Sequence, residues 1–308
     1  METTFTIVLV IMLLLITLSV IGNVLVMLSV YSRSRESRTF FMMAKVSIAA
    51  NDLGLSALYL IYLIKYSVDA HETYLAVGLF EGFLAFFNCT SIYNVCLLCL
   101  LRCYAIKYPQ QYWQLSLKRQ YCYIVNAWSF GLVLLVFFPL MYINMDIIPS
   151  YCWMLLATYV YIIPFLFTLG YAVAMLYAYF HETVYYAESN AVSDRRSQRS
   201  FVVTTSLVVL NHLLSFSPLI VYDYWSLYCW VEDRAQDIII FSLVATVVVY
   251  LKGPLNVIIY TVSDDEFKGY VKAILMNVSL FVHRGNGRLR SRSNSQFAMS
   301  SPSHETET

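Results

Sequence analysis

The sequence predicts an all-α membrane protein, a bundle of seven transmembrane helices followed by a short amphipathic helix on the membrane surface. Three observations predict it. Of 308 residues, 59% are hydrophobic and only 13% charged, well under the roughly 25% charged usage of soluble domains. Charge-free runs recur at residues 3–30, 82–101, 120–145, 147–180, 200–222 and 238–251, with an interrupted run at 39–64. With their flanks, each is long enough as a helix to cross a hydrocarbon core of about 30 Å. Finally, the basic residues concentrate in alternate loops, which sets an orientation.

The predicted spans are about 6–30, 39–66, 74–108, 120–143, 153–180, 198–228 and 237–261. A surface helix covers 264–280 and closes a domain of residues 1–280, and residues 281–308 form a disordered, Arg- and Ser-rich cytoplasmic tail. The first run is too long for the apolar region of a signal peptide, and its basic residues follow it rather than precede it. Arg33, Arg35 and Arg38 after span one, Arg102, Lys107, Lys118 and Arg119 at and beyond the end of span three, and Arg195, Arg196 and Arg199 at the start of span six all fall on one side. Lys268, Lys272 and the arginines of the tail join them, while Lys65 and Arg234 lie opposite among acids. By the positive-inside rule the N-terminus is extracellular and the C-terminus cytoplasmic. The net charge of +1 marks no nucleic-acid partner. Cys89, Cys96, Cys99, Cys103 and Cys122 lie within spans and read as packing thiols, whereas Cys152 and Cys229 fall on or near external loops as a candidate disulfide.

Each span carries a landmark. Span one holds Gly22-Asn23, and an asparagine within a membrane helix bonds a neighbouring helix. Span two holds Ser47-Ile48-Ala49-Ala50-Asn51-Asp52-Leu53. A carboxylate at that depth costs about 2.5–3.5 kcal/mol on insertion scales, which marks Asp52 as functional. Span three ends Arg102-Cys103-Tyr104-Ala105-Ile106-Lys107-Tyr108-Pro109. Span four holds Trp128 and Pro139, and span five Pro164 with Tyr171-Ala172. Span six holds Ser215-Phe216-Ser217-Pro218, and span seven ends Lys252-Gly253-Pro254-Leu255-Asn256-Val257-Ile258-Ile259-Tyr260, followed by Phe267. Phe267, Tyr270, Val271, Ile274 and Leu275 repeat at helical spacing beside Lys268 and Lys272, the pattern of a helix lying on a membrane.

In order and spacing these landmarks, from residue 19 to residue 275, resemble those of rhodopsin-like (class A) G-protein-coupled receptors. That family reads Asp-Arg-Tyr where this chain has Leu101-Arg102-Cys103, Cys-Trp-x-Pro where it has Ser215-Phe216-Ser217-Pro218, and Asn-Pro-x-x-Tyr where it has Asn256-Val257-Ile258-Ile259-Tyr260. The resemblance implies a plasma-membrane receptor that binds a ligand outside and admits a heterotrimeric G protein inside. Arg102, Asn256, Tyr260, Phe216 and Pro218 would carry the coupling switch. Leu101 replaces the acid that usually holds the arginine, which leads to an expectation of high basal activity or altered coupling; the plain alternative is an Arg102 that snorkels to the headgroups.

Asp52, Ser91 and Asn256 match three residues that line the family's internal sodium site. Lys252 lies one turn before Asn256 and faces the same way, so its ammonium would stand as a tethered cation in place of sodium, unless it turns to another polar helix face. Candidate ligand contacts are Glu81, Leu84, Asp223, Tyr222, Trp225 and Tyr250. Leu84 stands where amine receptors carry an Asp, and Tyr250 where opsins carry their lysine, so a biogenic amine held in that way and light sensing are not expected. Some five residues precede the first span, too few for a folded capturing domain, which favours a small molecule, lipid or short peptide. Val77 stands at the family's third-helix cysteine. The Ser-rich tail suits kinases and an arrestin-type partner. Membrane lipid is the remaining expected partner, and no cofactor is expected. Two other readings stay open: a seven-helix decoy or scaffold that does not signal, and a transporter, for which no internal repeat or broken-helix pair is found. No nucleophile–base or metal constellation points to an enzyme.

Overall fold

The computed structural model describes residues 2–34, 40–67, 74–143, 162–185, 192–231, 235–265 and 267–277, nearly all of them helical. One compact unit runs from Met1 to Asp264. Its long helices are α1 (Glu2–Tyr31), α2 (Phe40–Ser67), α3 (Tyr74–Lys107), α5 (Leu117–Ile143), α6 (Ile163–Tyr185), α7 (Val192–Val231) and α8 (Ala235–Ser263), with a single turn, α4 (Pro109–Trp113), between α3 and α5. Six of the long helices are long and apolar enough to cross a membrane; α2, which carries Lys45, Asn51 and Asp52, is the exception among the described residues. A second unit begins at Asp265 and is helical over residues 267–277.

This is a membrane protein by its surface as well as its length. Val10, Leu14, Val133, Val136, Leu166, Val173, Ile258 and Val262 are exposed along outward helix faces. Water would not tolerate apolar faces on this scale, and lipid requires them.

Of the six apolar helices, α3 is the most enclosed, and it packs against α2, α5, α6 and α7. It ends at Lys107 because Tyr108 precedes a proline, which disfavours helical backbone, and Pro109 then opens α4 at a position where a missing N–H does no harm. Ala85, Cys89 and Ile92 of α3 form one core with Leu134 of α5 and Phe216 of α7. Leu84 and Phe87 of α3 pack instead into a second core with Met12, Leu15 and Ile16 of α1, Tyr59 of α2 and Tyr250 of α8. Close approach depends on small residues: a side chain at Gly131 would meet Phe86 and Thr90, and one at Gly253 would meet Ser19 and Asn23.

Several expectations look different in three dimensions. Among the described residues the Asn23 amide donates within its own helix, to Ser19 O (2.9 Å) and Ser19 Oγ (3.2 Å), rather than to a neighbouring one. The link to α2 is Ser56 Oγ donating to Ser19 Oγ at 3.2 Å. Trp128 Nε1 donates to Ser47 Oγ (2.9 Å), and Ser47 Oγ in turn to Asn94 Oδ1 (2.9 Å), tying α5 to α2 and α2 to α3. Cys89, Cys96, Cys99, Cys103 and Cys122 are free thiols. Cys152 and the side chain of Cys229 lie outside the described residues, as does the tail beyond residue 277.

Candidate functional site

Membrane helices give polar side chains nowhere to go but towards one another. The polar residues of α2, α3, α7 and α8 do this around Lys252, which is 2% exposed. Its Nζ ion-pairs with Asp52 Oδ1 at 2.9 Å and donates to Ser91 Oγ at 2.8 Å. It also stands 5.1 Å from the centre of the Phe216 ring, a contact that favours a desolvated cation. Asn256 Nδ2 donates to the other oxygen of Asp52 at 3.1 Å. Both carboxylate oxygens are thus held from α8, four residues apart along one helix face.

Helix α7 closes the network. Asn211 Nδ2 donates to Asn256 Oδ1 (2.9 Å) and to the Lys252 carbonyl (3.0 Å). Next to it, His212 places Nδ1 3.0 Å from Val208 O and Nε2 3.1 Å from Ser91 Oγ. A carbonyl can only accept, so Nδ1 carries the hydrogen and Nε2 accepts from the Ser91 hydroxyl. Every proton then points one way: Lys252 donates to Ser91, Ser91 to His212, and His212 to the backbone of α7. The charges balance within the site, one ammonium against one carboxylate and a neutral imidazole.

Lys252 is therefore directed at Asp52 rather than at another polar face, and Asp52, Ser91, Lys252 and Asn256 form one cluster. Sequence reasoning passed over Asn211 and His212. Their signal was present: an Asn-His pair inside the apolar stretch Val208–Leu214, where each polar group needs a partner.

A second charged cluster lies at the foot of the molecule, the end where α2 begins and α8 finishes. Lys45 and Asp264 ion-pair there, both buried. The Lys45 ammonium also lies 4.4 Å from the centre of the Phe41 ring and 5.5 Å from that of Tyr260. Arg102 does not snorkel. It is buried, with Cζ 4.0 Å from the centre of the same Phe41 ring. The sequence led to an arginine without an acid at hand, yet Asp264 lies within its electrostatic reach. The Tyr112 phenol of α4 also feels this charge: burial raises its pKa, and the Arg102 guanidinium partly offsets the rise.

The expected ligand contacts fall into two groups. Leu84 and Tyr250 belong to the core with Tyr59, whose ring meets Tyr250 edge-on at 4.4 Å. Tyr222 and Trp225 of α7 stack on Phe241 of α8 at 6.4 and 6.1 Å. Glu81 is half-buried one turn from Leu84, and the Asp223 side chain lies outside the described residues. An open groove of about 520 Å³ lies elsewhere, lined by Ile163, Leu166, Phe167, Gly170, Tyr171 and Ala174 of α6; among the described residues none of the expected ligand contacts lines it. Among the described residues no group of His, Cys, Asp and Glu is arranged to hold a metal. No protein-family model matches this chain, and no curated protein matches it in sequence.

Proposed function

We propose that this chain is a seven-span receptor of the rhodopsin-like (class A) kind, with an extracellular N-terminus and a cytoplasmic C-terminus. It would bind a small molecule, lipid or short peptide outside and activate a heterotrimeric G protein from the plasma membrane. The helix at residues 267–277 would lie on the inner membrane surface. The observation that carries this reading is the interlocked set Asp52, Ser91, Lys252 and Asn256, drawn from three helices and joined to a fourth through Asn211 and His212. A network that ties α2, α3, α7 and α8 together at mid-depth couples any motion of one to the others, as transmission across a membrane requires. The Lys252 ammonium takes the role of a permanently bound cation. The arrangement of Phe216 beneath Lys252, with Tyr260 and Arg102 buried towards the foot, supports the same reading.

Basal nucleotide exchange on a panel of G proteins tests it, comparing the intact chain with Arg102→Ala at matched surface expression. Exchange above that of empty membranes, falling to background in Arg102→Ala, is the expected result. Exchange unaffected by Arg102→Ala removes the coupling role. Leu101 and Phe216, where the family carries an acid and a tryptophan, favour the decoy or scaffold as the second reading. Its signature is ligand binding with no exchange in either protein.

A further inference from the structure

We propose that Lys45, Asp264 and Phe41 form a latch that holds the foot of α8 against α2 and is built to open. The latch deepens the receptor reading, on which its consequence for signalling rests, but it stands on separate observations.

The helices that pack closely along α8 are α7 and α1. Helix α2 reaches it through side chains: Tyr59 against Tyr250, Asp52 to Lys252 and, at the foot, Lys45 to Asp264. Parting α2 from α8 at the foot therefore breaks one ion pair without separating two tightly packed backbones. Asp264 stands just past the last residue of α8, its N–H bonded to Tyr260 O at 3.0 Å. A carboxylate on the end of a helix swings with that end. Thr204 of α7 holds the same end by donating to Ser263 O at 3.2 Å, so α7 shares in the closure.

The chemistry favours two states over a continuum. Closed, the Lys45–Asp264 pair is buried and the ammonium lies against Phe41 and Tyr260. Half-open, each charge would be desolvated and alone, the least favourable arrangement for a buried pair. Open, both charges are hydrated. Phe41 gives the latch its reach, because Arg102 of α3 rests on the same ring as Lys45. Two cations share one aromatic ring and lie near one carboxylate, and among the described residues Tyr112 and Tyr260 are titratable groups beside them. When Asp264 leaves, the two like charges on the Phe41 ring face each other and the attraction of Asp264 on Arg102 weakens. Opening at α8 is thereby felt on α3.

Hydrogen–deuterium exchange on the full chain in lipid nanodiscs tests the latch without reference to a G protein. Asp264→Asn and Lys45→Gln should each speed exchange of amides in residues 41–47 and 258–264 by roughly tenfold or more, the expected effect of easier local opening. The reversed pair, Lys45→Asp with Asp264→Lys, should return it to within about twofold of the parent, since it restores an ion pair across the same gap. Parent-like protection in either single variant overturns the proposal, so Lys45→Gln decides it even if Asp264→Asn is not recovered from membranes. A reversed pair that exchanges as fast as the singles overturns it as well. Basal nucleotide exchange is read on the same samples. Raised nucleotide exchange in Asp264→Asn joins the latch to signalling. Faster deuteration with no nucleotide exchange in any sample keeps the latch and removes its link to basal signalling.

Discussion

Among the described residues two ion pairs join α2 to α8 and the residue just past its end, and they are built differently. At mid-helix, Asp52 and Lys252 sit among amides, a hydroxyl and an imidazole: the ammonium also donates to Ser91, and the second carboxylate oxygen accepts from Asn256. At the foot, Lys45 and Asp264 sit among aromatic rings, with a second cation close by. On each helix the lysine precedes the aspartate. Because the two helices run antiparallel, each lysine meets the other helix's aspartate, and a parallel pairing would set like charge against like. The order of charges specifies one register. What the difference teaches is that the same chemical pair serves as a fixed joint where directional hydrogen bonds surround it and as a releasable one where softer cation–π contacts do.

Removing a lysine should therefore cost most at mid-helix. Lys252→Met leaves Asp52 as a buried carboxylate without its cation, and about 3–5 kcal/mol of stability should be lost, read as a fall in the midpoint of thermal unfolding in detergent. Added sodium should then stabilise the variant more than the parent, because the vacated charge is open to a mobile cation. Asp52→Asn together with Lys252→Met should recover most of the loss. A sodium effect already present in the parent and unchanged in Lys252→Met would end the tethered-cation reading.

The mid-helix pair was legible in the sequence and the foot pair was not, for a physical reason. Asp52 and Lys252 interrupt apolar runs near their middles, where an ionisable group has few plain explanations. Asp264 is the first of three acids following α8, and Lys45 stands near the start of α2. At such positions a charge usually reaches headgroups or water, and only packing reveals that this pair is buried. Arg102 shows the same limit: Asp264, 162 positions later, lies within its electrostatic reach, which the order of residues does not reveal. The long helices were legible from composition. The partners of Asn23, which turn out to lie on its own helix, were not, because periodicity gives the face of a helix but not a side-chain rotamer.

A smaller effect probes the mid-helix joint. Ser91→Ala removes an acceptor from Lys252 and a donor from His212, and leaving such buried groups unmet costs about 1–3 kcal/mol. The loss should be smaller than for Lys252→Met in the same melts, since the charge pair survives. If Ser91→Ala equals Lys252→Met, the serine rather than the ion pair organises the site.

The smallest effect tests whether the two pairs are independent. Trp128→Phe keeps the bulk of the ring near Phe86 but deletes the donor to Ser47, a loss of about 0.5–1.5 kcal/mol. Ser47 lies on α2 two residues after Lys45 and five before Asp52, and through Asn94 it anchors α2 to α3 without touching either pair. If α2 is the rigid post against which α8 moves, Trp128→Phe should lower the melting midpoint slightly and leave deuteration at residues 258–264 unchanged. If deuteration there rises with the small loss of stability, the post itself moves. The foot would then open by displacement of α2 rather than of α8, and Thr204, which holds α8 from the side of α7, would have no part in closing it.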